Sequence, residues 1–410
     1  MQKQAVLSEN VASDRWISLA VCFQVLLIGA KNMLVQAFEA LYLQNNLLNA
    51  ILFVIVGLTY VLAYMTLGSR MISFSPLSLA FVAFVVISFA ASALIHPYAL
   101  PQYGEVLGYF LPFCFLTVFM ITRLTTLKWI AYYMERFSYL IIAVAWVCVI
   151  GILNTGHITT SDWSTYSMSL SNVIMVAVIW LLYSYFENHK LLALVGAALG
   201  ILAILLCGSR NPLLAIVAYV VVKTVTKVAS SKTPNRERWT YVLWSALLIL
   251  FFLLFEPIIE LAHIVLSALG IYSRSIGLLD TNLFFDSGRS VIHADLLAVL
   301  NQSPILGLGI GGDMASIGWP AHNFYLSVLS IYGYLAGTAI LITFAVLLVK
   351  AFCRSRGRIR EILLIYTCLF LPRNFTGNDI LRSDIPWWLL GLVIVILSNP
   401  EKAVAEPELL

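Results

Sequence analysis

Charge is scarce in this chain. Only 11% of its 410 residues are charged, against 61% hydrophobic, whereas soluble proteins carry roughly 25% charged and about 45–50% apolar residues. So few polar side chains cannot cover the surface of a water-soluble globule, and the mean hydropathy of +0.93 agrees. Six cysteines are too sparse for a disulfide-stapled small fold. The apolar content excludes intrinsic disorder. Alternation of apolar and polar residues is missing, which excludes a membrane β-barrel. What is present is a series of continuous apolar runs, with 13% aromatics suited to interfacial belts on membrane helices. The composition predicts an all-α polytopic membrane protein.

A membrane helix needs about 20 mainly apolar residues. Twelve stretches qualify, near 15–33, 47–67, 77–95, 106–122, 134–153, 170–186, 191–207, 212–226, 239–255, 323–349, 361–373 and 386–398. The eighth, eleventh and twelfth are short enough to be tilted or partly re-entrant. A polar start precedes the first stretch without a small-residue cleavage site, so that span is expected to be retained. With the N-terminus inside and strict alternation, all but six of the 24 Lys and Arg residues fall on the inner side. That bias is the usual orientation signal. It predicts both termini inside, with 399–410 as a short inner tail. The basic runs at 223–238 and 350–360 then serve as inside-retention signals, not nucleic-acid sites.

The six exceptions are Lys31, Arg210, Arg274, Arg289, Arg373 and Arg382. Five are arginines, whose planar fork binds phosphate bidentately and stays charged in any surroundings. An arginine group on one side of a membrane points to an anionic ligand there. The plain alternative is pairing with outside carboxylates such as Asp286, Asp313, Asp379 and Asp384.

One connection is long, residues 256–321, outside between the ninth and tenth spans. A long structureless loop is improbable. Residues 257–269 have the apolar pattern of a surface-lying amphipathic helix. A second helix should begin near Ser287, capped by Asp286 or Ser287, with Val291, Ile292, Leu296 and Leu300 on its apolar face and Pro304 beyond its end. Gly307-Leu308-Gly309-Ile310-Gly311-Gly312 follows. With no βαβ unit around it, this is no dinucleotide fingerprint; it reads as a tight, exposed turn whose backbone approaches a ligand, or as a plain glycine linker.

Pro320 suits the start of the tenth span, placing His322 at its outer N-terminus. The helix dipole there disfavours imidazolium and favours the neutral imidazole, which can act as a base. A packing role at the interface is the alternative. His293 competes: it lies four residues after Arg289, on one helix face with it. His263 falls on the surface helix, His96 and His157 in short outer loops, and His189 inside. No His, Cys or Asp cluster has metal-ligand spacing. None of Cys22, Cys114, Cys148, Cys207, Cys353 and Cys368 lies in the long loop.

These residues carry a resemblance. Gly208-Ser209-Arg210-Asn211-Pro212, Ser287-Gly288-Arg289, Pro304-Ile305-Leu306-Gly307-Leu308-Gly309, His322-Asn323-Phe324-Tyr325-Leu326 and Tyr332-Gly333-Tyr334-Leu335-Ala336-Gly337 follow in that order. Over roughly residues 200–345 the chain resembles the O-antigen polymerase and ligase superfamily of bacteria, the Wzy and WaaL type. Each piece is short and degenerate; order, spacing and membrane side carry the likeness.

The resemblance implies an inner-membrane glycosyltransferase of the C type. Its donor is a glycan on undecaprenyl pyrophosphate at the periplasmic face. Transfer to an acceptor hydroxyl proceeds with inversion, without metal or cofactor. The acceptor is another lipid-linked repeat unit for a polymerase and lipid A–core for a ligase; a chain-length regulator is a further possible partner. The residues implied are Arg210, Arg289 and His322. Two arginines suit the charge developing on a pyrophosphate leaving group, and a base near neutrality suits a sugar hydroxyl. Arg274, Asn323, Tyr325, Arg373, Arg382 and His293 are secondary candidates for sugar, phosphate or lipid contacts.

The compact loop and the Ser-Gly-Arg followed by a short helix favour a polymerase over a ligase. Protein-glycosylating relatives rank third, because they usually carry a C-terminal periplasmic domain. A twelve-span secondary transporter is the reading from another class. Against it, no internal repeat of the halves is obvious, charges at mid-span are scarce, and the long loop breaks a symmetric six-plus-six arrangement.

Overall fold

The structure is a computed structural model. It describes residues 12–26, 45–67, 74–154, 168–206, 211–229, 234–254, 289–376 and 379–398, with isolated positions between 257 and 268. In chain order the helices are α1 (12–26), α2 (Asn45–Met65), α3 (Pro76–Ile95), α4 (Pro97–Ile121), α5 (Lys128–Asn154), α6 (Met168–Asn188), α7 (Leu191–Leu206), α8 (Asn211–Ala229), α9 (Asn235–Leu253), α10 (Arg289–Leu300), α11 (Gly312–Ile317), α12 (Phe324–Arg354), α13 (Gly357–Thr376) and α14 (Ile385–Ser398). No strand occurs among the described residues.

Among the described residues six helices are long and apolar enough to cross a membrane: Pro76–Ile95, Pro97–Ile121, Lys128–Ile150, Leu170–Asn188, Asn211–Ala229 and Phe324–Arg354. The eighth expected span, short in the sequence reading, extends to 19 residues and is one of them. Val54–Met65, Leu191–Leu206 and Ile385–Ser398 are shorter apolar helices at further expected positions.

The described chain divides into two compact units, one of Met1–Gln24, Ile55–Ala131 and Asp286–Leu410, the other of Val25–Val54 and Tyr132–Phe285. In the second unit, α6 and α7 form a tight hairpin. Gly196 and Gly200 make the approach possible: a Cβ on Gly200 would stand 2.4 Å from Val178 Cγ2. Close small-residue packing of this kind is typical of membrane helices. The ends of these helices are tied by charge. Lys190 pairs with Glu135, whose carboxylate also accepts from Ser184 at 2.9 Å. Lys223 and Lys227 meet Glu187 at 2.7 and 3.2 Å. Each cluster joins helix ends that strict alternation assigns to one side.

In the first unit, α4 carries a π-helical segment at Leu111–Phe115, where Pro112 interrupts the regular hydrogen-bond register. The Phe113 carbonyl accepts from Gln24 Nε2 at 3.3 Å and Thr117 Oγ1 at 2.9 Å. Tyr60 closes this buried polar network through Gln24 and Thr117. Away from water every such group needs a protein partner, and here the three side chains hold α1, α2 and α4 together.

Polar contacts of this unit sort to two ends. At one end, Asp14 accepts the Thr125 and Thr126 amides at 3.1 and 3.0 Å. Ser398 meets Ser75 at 2.9 Å, and Ser75 also caps α3 by accepting from Ser78 N at 3.1 Å. Arg354 donates to the Leu397 carbonyl at 3.4 Å. The candidate site lies at the other end.

Candidate functional site

The site is built around a break in α12. Gly333 has φ 76° and ψ 172°, so two helical segments meet there instead of one continuous rod. The break strips carbonyls and amides of their helical partners, and inside a membrane protein these must be replaced. Residues 304–309 supply the replacements. The Leu308 and Gly309 amides donate to the Ser330 and Ile331 carbonyls at 2.6 and 3.2 Å, and Tyr334 N donates to Pro304 O at 2.8 Å. The fit leaves no room for side chains. A Cβ on Gly333 would lie 2.2 Å from Ile305 O, and one on Gly307 would lie 2.4 Å from Gly333 N.

The glycine-rich segment therefore differs from the exposed turn expected of it. Residues 307–312 are all buried. Ile310 N donates to Ser92 Oγ at 2.7 Å, and the Tyr98 hydroxyl donates to Leu308 O at 2.8 Å. Ile310 and Ile331 enter an apolar core with Phe81, Phe110 and Trp387. The backbone of this segment meets α12 and α3, not open space.

Beyond the glycines, α11 is bracketed by left-handed Gly311 (φ 72°) and Gly318 (φ 73°). Asp313, at its start, is 4% exposed. One of its oxygens accepts the Met314 amide at 2.8 Å and the other the Ala321 amide at 3.0 Å. Burial first, and then the neighbouring Asp379, push its carboxyl up to about 7, against the pull of the two amides and of Arg382.

His322 follows Ala321 at φ 49°. The helix begins at Phe324, four residues later than Pro320 at the first helical position would set it: Asn323 is the N-cap, its side-chain oxygen accepting from Leu326 N at 3.0 Å. His322 thus stands just outside the N-cap, half-buried. Asn323, expected to orient sugar or histidine, has its side-chain oxygen committed to capping. Tyr325 is exposed.

Arg289 opens α10 and is half-buried; His293 stands one turn on, its Nε2 buried without a hydrogen-bond partner. The expected cap at Asp286 or Ser287 lies outside the described residues. Leu296 and Leu300 are buried as expected, but Val291 is 62% exposed, so the packed face is narrower than the apolar pattern. Leu296 packs with Leu308 and Ala321, and Val299, Ile317 and Leu326 flank them. This cluster seats the helix of Arg289 and His293 against the segment that presents His322.

Arg382 belongs to a short turn, Ile380–Arg382, capped by Asp379, which accepts from Leu381 N at 3.1 Å. Asp379 also accepts from Ser327 Oγ at 2.7 Å, tying the turn to the first turns of α12. Arg382 Nη1 meets Glu105 at 3.2 Å, so the plain alternative of carboxylate pairing holds for that nitrogen. Its Nε and Nη2 are buried without a hydrogen-bond partner. Arg373, expected in the loop after the eleventh span, falls within α13. Arg210, Arg274, His263, His157 and the 269–288 segment lie outside the described residues.

Sequence reasoning passed over Asp313, Asp379 and Ser327 as site residues. The signal was Gly-Gly-Asp before the tenth span and Gly-Asn-Asp after the eleventh: carboxylates in a chain that has few. No family model matches this chain, and no curated protein matches it at a significant level.

Proposed function

We propose that the protein transfers a glycan from an undecaprenyl-pyrophosphate carrier to an acceptor sugar hydroxyl at the periplasmic face of a bacterial inner membrane. Twelve spans with both termini inside belong to this reading. The observation that carries it is the seating of α10, with Arg289, against the segment that ends in His322. The guanidinium-bearing helix and the imidazole thereby stand on adjoining elements at one end of the helices, an arrangement that suits a phosphate contact beside a base.

In this reaction His322 takes the proton of the acceptor hydroxyl, whose oxygen bonds to the anomeric carbon. The bond from that carbon to the phosphate oxygen breaks on the opposite face, and lipid pyrophosphate leaves. Arg289 stabilises the charge that develops on it; by resemblance Arg210 shares that role. Polymerisation of O-antigen or exopolysaccharide repeat units is the favoured form, resting on the Ser287-Gly288-Arg289 sequence ahead of a short helix.

Deleting the gene and separating surface glycans on gels tests the reading. Core carrying one repeat unit is the polymerase outcome. Bare core with accumulated lipid-linked polymer assigns the protein to ligation instead. An unchanged glycan pattern, with small-molecule uptake by the protein in proteoliposomes, replaces transfer by transport. Restoring the gene with Arg210→Ala, Arg289→Ala or His322→Ala should fail to restore the pattern although each protein inserts. Full restoration by all three would remove the site assignment.

A further inference from the structure

His322, at φ 49°, holds a backbone conformation that L residues rarely adopt. The one other non-glycine residue with positive φ among those described is His189, at φ 52°. Its case is ordinary: it ends α6, with its amide donating to Tyr185 O at 2.8 Å, where left-handed residues commonly close helices. His322 precedes a helix, where no such rule applies. Strain held in this way is a reason to look for function.

Two anchors hold it. On its C-terminal side is the Asn323 cap. On its N-terminal side, the Asp313 carboxylate takes the Ala321 amide with one oxygen and the Met314 amide with the other. A single buried carboxylate thus clamps both ends of the 314–321 segment. Ala321 is itself fully buried against Leu296 and Leu308.

We propose that Asp313 is a positioning residue for His322, fixing the backbone that directs the imidazole at the acceptor hydroxyl. This rests on the reading of His322 as the base. Both oxygens of the Asp313 side chain are engaged by backbone amides of one segment, so the segment is fixed at two points rather than one. The groups that face it are Asp379 and Arg382 from the 379–382 turn and Tyr98 from the start of α4.

The test measures transfer kinetics for Asp313→Asn, Asp313→Ala, His322→Ala and the Asp313→Asn/His322→Ala double variant in membranes. The donor is the undecaprenyl-pyrophosphate-linked repeat unit extracted from cells lacking the protein. A displaced catalytic group costs about 100-fold, so Asp313→Ala should lose that much kcat with an unchanged donor KM. Asp313→Asn keeps an acceptor oxygen and should lose less. Because Asp313 acts through His322, the double variant should be no slower than His322→Ala. Full kcat in Asp313→Asn and Asp313→Ala, or an additive double variant, overturns the proposal and leaves the base assignment standing. An active His322→Ala overturns the base assignment, and the proposal with it. Should Asp313→Ala not insert, the Asp313→Asn single and double variants decide by the same comparison.

Discussion

At the scale of single residues, the site end of the first unit gathers charges that an apolar environment makes costly. Asp313 meets that cost partly by holding its proton: its carboxyl sits at about 7, raised first by burial and then by Asp379. The folded protein therefore retains a proton that the unfolded chain releases at lower pH. The stability this group supplies is full below the ordinary carboxylate range and is lost as pH rises toward about 7. Thermal melts in detergent should fall with rising pH across that window, and Asp313→Asn should flatten the fall; an unchanged slope would count against the raised carboxyl. Asn323 gives a second expectation. As an N-cap it contributes about 1 kcal/mol, which Asn323→Ala removes and Asn323→Ser largely keeps. If Asn323→Ser melts like the native protein yet loses transfer, the side chain has a sugar contact besides its cap.

At the scale of elements, the break in α12 is the feature on which the site depends. Gly333 occupies a backbone region open essentially to glycine alone, and Ile305 O stands where a Cβ would be. Gly333→Ala should destabilise by about 3 kcal/mol or more, seen as poor insertion or a large drop in melting temperature. Gly104→Ala and Gly108→Ala in α4 meet open space and should be neutral or stabilising by up to about 1 kcal/mol. Equal behaviour of the three would show that the pairing of 304–309 with α12 is not held in the membrane. These elements also mark how far the sequence was legible. Continuous apolar runs locate helices, because an apolar segment in lipid must satisfy its own backbone. The Gly307–Gly312 run was not legible in the same way. Its composition fits an exposed turn equally well, and only the unpaired groups of α12 some twenty residues on make it a buried strap. Val291 and Leu296 share one apolar pattern, yet only Leu296 meets Leu308 and Ala321.

At the scale of the whole molecule, the ion pairs of Lys190, Lys223, Lys227 and Arg382 each join helix ends that alternation assigns to the same side, the lysines on one side and Arg382 on the other. Which side is cytoplasmic is a matter of the Lys and Arg bias alone. Cysteine labelling tests it: in a cysteine-free background, Trp319→Cys should react with an impermeant maleimide in intact cells, and Arg356→Cys only after permeabilisation. The opposite pattern would remove the periplasmic site. The sequence by itself determined the class of protein, a helical membrane protein, because composition and apolar run length decide solvent and secondary structure before any packing is known. It also singled out His322, Arg289 and Arg382, because cations and imidazoles stand out where charge is scarce. Only the tertiary structure decided that Asp313 braces the backbone ahead of His322, that Asp379 ties the Arg382 turn to α12, and that Asn323 is a cap. Those roles come from hydrogen bonds between residues whose identities do not name their partners.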